Sequence, residues 1–398
     1  LALAELIQIW CNSWELNNGK SNMNLPPRWK VARELQRLKN QVAKLLPIFL
    51  ESLVRLYYTT LGRRLWQITR GAQPMGSKLA VYVLFQPNGV AGSTYIALEY
   101  LRKHGFTILI TSNATLSEHD RQKLAALAWT VIERPNFGYD FGAYRDSILY
   151  LHDKHVEPDH LLLMNDSTWF PLSLNSTALD HVVAVDAPFY GFIYKSENTE
   201  HHKRGVDHME SHFLSFRKPA LDSTEFKTYW AHYKMSSSRN QTIQKGEKGI
   251  SKAMERAGFV SQGMISHKSF LAHLDAKTNT ALREILGETI YHRARERNER
   301  DQIVDAFADT DEWHTQAMAH FHWCPDCMQY FVSAAFIAVT LPELDLPFVK
   351  KAREDRFHLA RKYVLDHFAN DDRVEIDPII LAEVAQTVEN YEPDPVRE

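Results

Sequence analysis

Residues 134–172 read RPNFGYDFGAYRDSILYLHDKHVEPDHLLLMNDSTWFPL, and their interpretation decides the fold. Two polar clusters bound the stretch, Asn136-Phe137-Gly138-Tyr139-Asp140 and Asn165-Asp166-Ser167. Each follows a short apolar run, AWTVIE at 128–133 and HLLLM at 160–164, of the length and composition of a buried strand. Between them, Tyr139 to His155 has the spacing of a helix. In an open α/β sheet, ligands bind outside the carboxyl ends of the strands. The two clusters are therefore expected to face one crevice.

Upstream, the same alternation extends the sheet. KLAVYVLF at 78–85 predicts a first strand, a glycine turn (PNGVAGS, 87–93) opens a helix, and FTILIT at 106–111 predicts a second strand. Ser117 with Asp120 three residues on marks the start of another helix. This βαβαβαβ order predicts an α/β, mostly parallel sheet with helices on both faces. After Pro171, VVAVD, FYGFIY and HFLSFR read as short strands, and residues 223–233 and 247–257 as helices.

The flanks differ in character. Residues 28–70 carry about ten Lys or Arg against two Glu, with apolar residues at helical spacing. They read either as a helical pair packed on the main domain or as a basic amphipathic surface for anionic lipid. GAQPMGS at 71–77 resembles a linker. Three regions follow: a helical, basic segment at 1–77, the α/β domain at 78–275, and a helical region at 276–398.

Bulk properties exclude several classes. A net charge of −3 supports no nucleic-acid partner. Three cysteines make no disulfide framework and no signal-peptide pattern opens the chain, so a cytoplasmic location is expected, at the inner face of the cell membrane if the basic segment docks. The glycine turn lacks G-x-G-x-x-G spacing and no acidic residue ends the second strand, which disfavours hydride transfer. Its backbone N–H groups either contact a phosphate or form an ordinary strand-to-helix turn.

Gly138 permits a backbone shape or close approach that other residues resist. Asn136 and Asp140 supply a donor and acceptors for a base or ribose edge, unless Asp140 is simply a helix cap. Asp166, with Asn165 and Ser167, offers hard oxygen ligands suited to Mg²⁺ or Mn²⁺ against a diphosphate, or forms an Asx turn. Zinc is not expected. His208-Met209-Glu210-Ser211-His212 is not the H-E-x-x-H helix, and His320, His322, Cys324 and Cys327 lie too close together for the usual pair of zinc half-sites.

NFGYDFGAY followed by LLLMNDSTWFPL resembles the paired motifs of the rhamnan synthesis protein F family, with looser likeness at HMESHFLSFRKPAL, KGEKGISKAMERAGF and LPFVKKA. The resemblance implies a nucleotide-sugar-binding A-type glycosyltransferase fold and transfer of rhamnose or a similar sugar. The donor would be a nucleotide diphosphate sugar, such as dTDP-rhamnose. The acceptor would be a growing cell-surface polysaccharide or lipopolysaccharide, as a saccharide or lipid-linked chain. It implies that Asn136, Gly138, Asp140, Asn165, Asp166 and Ser167 hold the nucleotide sugar, Asp166 with the metal.

An inverting transferase further needs a carboxylate to take the acceptor proton. Glu247, expected to open a helix, is the first candidate, followed by Glu210 and Asp186. The alternative is a non-catalytic protein that binds glycan or another transferase; the single carboxylate in NDS keeps it open. A metal-dependent hydrolase built on the histidine-rich segments is a third possibility.

Overall fold

A computed structural model describes residues 51–196, 206–323 and 331–392. The described residues from Tyr57 onward belong to one compact unit. The strands are β1 (Gln67–Arg70), β2 (Lys78–Leu84), β3 (Thr107–Ser112), β4 (Thr130–Glu133), β5 (His160–Asn165), β6 (Thr168–Trp169), β7 (Phe189–Lys195), β8 (His208–Met209), β9 (Phe213–Arg217), β10 (Gln262–Ser266) and β11 (Val349–Lys350). The helices that matter for the site are α1 (Gly92–Lys103), α2 (Glu118–Leu127), α3 (Tyr139–Asp153), α4 (Lys248–Arg256), α5 (Asp355–Phe368) and α6 (Pro378–Glu389).

The main sheet runs β1-β4-β3-β2-β5-β9-β7-β10, with β8 beside β7. Strands β2, β3, β4, β5, β7 and β10 point one way, and β1, β8 and β9 the other. This is the mixed α/β, mostly parallel architecture expected of an A-type glycosyltransferase domain.

The central strands are buried on both faces, which is why they read as continuous apolar runs. Their alternation divides the core. Ala80, Tyr82, Leu84, Ile108, Ile110, Leu162 and Met164 pack beneath α1, α2 and the helices between residues 267 and 323. Leu79, Val81, Val83, Leu109, Leu161 and Leu163 pack beneath α3 and α4. A third cluster joins Trp169 and Leu172, just after β5, to Phe357, Ala360, Val364, Ile380 and Val384 of α5 and α6.

Two local expectations are corrected. VVAVD does not form a strand: Ala178–Ala184 is a short helix that buries Leu179 and Val182 on one side, a spacing of three. Residues 67–70, read as the end of the basic helical segment, form β1 and pair antiparallel with β4. Their side chains are mostly exposed, as befits an edge strand. Residues 28–50 lie outside the described residues. No described helix is long and apolar enough to cross a membrane.

Candidate active site

Strand order reverses between β2 and β5: from β2 the chain proceeds outward through β3 to β4, whereas β5 lies on the other side of β2. A crevice opens at the carboxyl ends of such a pair. Asp166 stands there, directly after β5. Its Oδ2 accepts the Phe85 N–H at 2.9 Å and the Gln86 side-chain amide at 3.0 Å, so the carboxylate joins both strand ends. Asn165 Oδ1 turns back to accept from the Ser167 N–H at 3.1 Å and hydroxyl at 2.5 Å. This is an Asx turn, and it leaves Ser167 exposed.

The other cluster reaches the same place from the start of α3. Arg134, 3% exposed, pairs with Asp146 at 2.8 Å, donates to the Phe137 carbonyl at 2.6 Å and binds Asn113. It thereby pins the loop 134–138. Gly138 has φ +83°, and a Cβ there would come within 2.9 Å of Met235 Cβ and 3.1 Å of Gly142 Cα. Tyr139 also has positive φ, +53°, a conformation costly for a tyrosine and characteristic of functional sites. The resulting turn aims Asp140 across the crevice, where Oδ2 accepts from Asn165 Nδ2 at 3.0 Å. Asn136 is exposed on the loop, away from this bond.

A third group completes the centre. Ser211 Oγ lies 2.6 Å from Glu247 Oε1 and 3.3 Å from Asp140 Oδ2, linking the two carboxylates through one hydroxyl. His208 Nε2 is 3.6 Å from Glu247 Oε2. Burial, followed by the Glu247 charge, pushes the Asp140 carboxyl up to about 6. Burial and the charges of Asp140, Asp166 and Glu247 also raise the Tyr144 phenol, whose hydroxyl donates to the Ser211 carbonyl at 3.0 Å.

Glu247 does not open a helix. It ends a single π-helical turn, Ile243–Glu247, between Arg239–Thr242 and α4, so it lies inside one helical run. No free helix end explains its position. Such turns recur at functional sites because they re-aim one side chain. Close packing contributes here: a Cβ on Gly246 would enter the Phe141 ring at 2.6 Å.

Glu210 faces the other side of the centre. Lys350 Nζ donates to Glu210 Oε2 at 2.6 Å, and His212 Nδ1 is 3.5 Å from the same oxygen. Burial alone would raise the Glu210 carboxyl, but the Lys350 ammonium bonded to it overcomes this and holds it at about 2. Burial, with help from Lys350, lowers His212 to about 3, so that imidazole is neutral. The histidines of the HMESH run therefore serve different carboxylates and do not converge.

The remaining candidates are placed elsewhere. Asp186 is exposed before β7, at the amino end of the sheet, where its charge acts on Arg217. The structure does not bring it to the centre. His320 is occupied by the Tyr291 hydroxyl at 2.9 Å, and Cys324 and Cys327 lie outside the described residues.

The glycine turn does not present a free helix end to a phosphate. The Ser93 N–H donates to Glu383 Oε1 at 2.9 Å and its hydroxyl to Oε2 at 2.5 Å, so a carboxylate of α6 caps α1. Gly92 permits this approach, since a Cβ there would meet Ile379 Cγ2 at 2.5 Å.

Sequence reasoning missed Ser211, Lys350, Lys351 and Glu383. Ser211 sits between Glu210 and His212, and the lysines lie in LPFVKKA, one of the looser motifs. Strand β11 lays that motif against β6, pairing Lys350 with Thr168, and the Lys351 N–H bonds the Ser167 carbonyl at 2.9 Å.

Among the described residues, no three His, Cys, Asp or Glu side chains converge as a metal cage. Asp166 alone, with Oδ2 already accepting two hydrogen bonds, suits only a Mg²⁺ or Mn²⁺ ion that takes its other ligands from substrate phosphates and water.

Several known proteins resemble the chain. The uncharacterized protein y4gN of Sinorhizobium fredii (strain NBRC 101917 / NGR234) is 27% identical over 385 residues, covering 96% of this chain and 98% of that one. The mannosyltransferase PcManGT of Pyrobaculum calidifontis, solved with GDP-Man and Mn²⁺, has a TM-score of 0.28 at 9% identity, over 75% of this chain and 86% of that one. The mannosyltransferase Ktr4p of S. cerevisiae has a TM-score of 0.25 at 10% identity, over 42% and 62%. Residues 108–286, which hold Asp140, Asp166, Ser211 and Glu247, match the rhamnan synthesis protein F family.

Proposed function

We propose that this protein is a glycosyltransferase of polysaccharide synthesis. It would move rhamnose or a similar hexose from a nucleotide diphosphate sugar to a growing cell-surface polysaccharide or lipopolysaccharide, its acceptor a saccharide or lipid-linked chain. The family match over residues 108–286 supports the broad activity. The observation that carries the reading to individual residues is the convergence of Asp140, Asn165, Asp166 and Glu247 at the reversal of strand order.

In this reading Asp140 and Asn165 hold the nucleoside, with Gly138 shaping the loop, and Asn136 and Ser167 lie at the rim. Asp166 faces the diphosphate and would share a Mg²⁺ or Mn²⁺ with it. Such an ion supplies positive charge to the departing diphosphate. Glu247, oriented by Ser211 and His208, takes the acceptor proton in the transition state. Glu210 is the weaker candidate because Lys350 already neutralises it. Residues 28–70 would touch anionic lipid at the cytoplasmic face of the membrane, which would bring the enzyme to a lipid-linked acceptor.

The test is a thermal-shift screen of dTDP, UDP, GDP and their sugars, with and without Mg²⁺ or Mn²⁺. A ligand that binds only the folded state raises its stability. One nucleotide family should stabilise the protein, and Asp140→Ala should abolish the effect. Folded protein that responds to no donor would favour a non-catalytic glycan- or transferase-binding role.

A further inference from the structure

Lys351 differs from its neighbour. Lys350 is ion-paired to Glu210, whereas among the described residues no carboxylate lies within ion-pairing distance of Lys351. Its Nζ lies 3.4 Å from Ser93 Oγ and 5.3 Å from the centre of the Trp169 ring. The side chain is partly buried. Burial therefore disfavours its charge, and the more distant Asp166 and Glu383 offset this only in part. A desolvated ammonium without a paired anion is a site for one.

Its backbone is held firmly. The Lys351 N–H bonds the Ser167 carbonyl, and buried Arg361 donates to the carbonyls on either side, Lys350 at 3.0 Å and Ala352 at 2.7 Å. The residue is thus fixed beside Ser167, one position after Asp166, where Phe85 and Ser167 are exposed and a ligand has access.

We infer that Lys351 is the protein cation that contacts the diphosphate of the nucleotide donor; this rests on the nucleotide-sugar reading above. A lysine acts on phosphate as a point charge and tolerates several phosphate geometries. The C-terminal region then supplies part of the donor site.

Calorimetric titration tests this with dTDP, UDP and GDP and the corresponding nucleosides, in Mg²⁺-containing buffer, on the full chain. Lys351→Met and Lys351→Gln should each weaken the binding diphosphate about 10-fold to 100-fold. They should leave its nucleoside within about twofold, and Lys351→Arg should restore most of the loss. Unchanged diphosphate affinity in both variants would overturn the assignment, and so would equal losses for diphosphate and nucleoside. If the wild type binds none of these ligands, the donor reading itself falls, and the role of Lys351 with it.

Discussion

Lys350 Nζ lies 2.6 Å from Glu210 Oε2 although 140 residues separate them in the chain. This partly buried pair joins the C-terminal strand β11 to the loop after β8. Lys350→Met should leave the Glu210 charge uncompensated and reduce stability by about 1–3 kcal/mol, between the exposed and the buried cases. Glu210→Gln in the same chain should recover most of that loss, read by denaturant unfolding. Additive losses in the double variant would mean that the two side chains are not coupled.

Asp166 is expected to be essential to transfer and unimportant to folding. Asp166→Asn retains an oxygen that can accept from the Phe85 N–H but loses the charge proposed to face the diphosphate. Turnover should fall at least about 100-fold, on the scale of losing one transition-state electrostatic contact. The melting temperature should stay within a few degrees. Retained turnover would remove Asp166 from the mechanism.

Asp140 makes stability depend on pH in a defined direction. Its carboxyl ionises near 3.8 when unconstrained and at about 6 in the fold. A folded-state pKa that is raised favours the protonated protein, so this contribution is fully present below about pH 4 and is lost as pH rises through 6. Asp140→Asn removes that loss. Its melting temperature relative to wild type should therefore be higher at pH 7.5 than at pH 4.5, and Glu247→Gln should shift the transition to lower pH. A difference constant across this range would contradict the proposed coupling.

Glu383 ties α6 to the domain through the Ser93 N–H, the Ser93 hydroxyl and Trp169 Nε1, the last at 2.9 Å. Glu383→Ala removes the cap of α1 and leaves a largely buried indole N–H without this acceptor. A loss of about 2–3 kcal/mol is expected, from the cap together with the unsatisfied donor. Thermal unfolding would show it, and a change below 0.5 kcal/mol would mean that water replaces the carboxylate.

The sheet was legible in the sequence because its central strands are buried on both faces and therefore read as short, nearly continuous apolar runs. Local chemistry was legible too. Ser117 caps α2 by accepting the Asp120 N–H at 3.1 Å, and Gly138 marks a left-handed turn, both within a few residues. VVAVD was not, since a run of four apolar residues fits a strand or one side of a helix, and packing beneath the sheet selected the helix. Nor was the setting of Glu247, because a π-helical turn depends on the fit of Gly246 against Phe141.

By itself the sequence determined the central strands β2, β3, β4 and β5 and the turns that follow them, and it placed Asn, Asp and Gly at the strand ends. Only the tertiary structure decided what these residues meet: that Ser211 links Asp140 to Glu247, that Glu383 occupies the start of α1, and that Lys350 and Lys351 arrive beside Thr168 and Ser167 from about 180 residues downstream. The physical reason is range. Strand periodicity and turn geometry act over neighbouring residues, whereas the partner of a charged group is whichever side chain the packed helices and sheet bring within a few ångströms, and chain separation does not encode that distance.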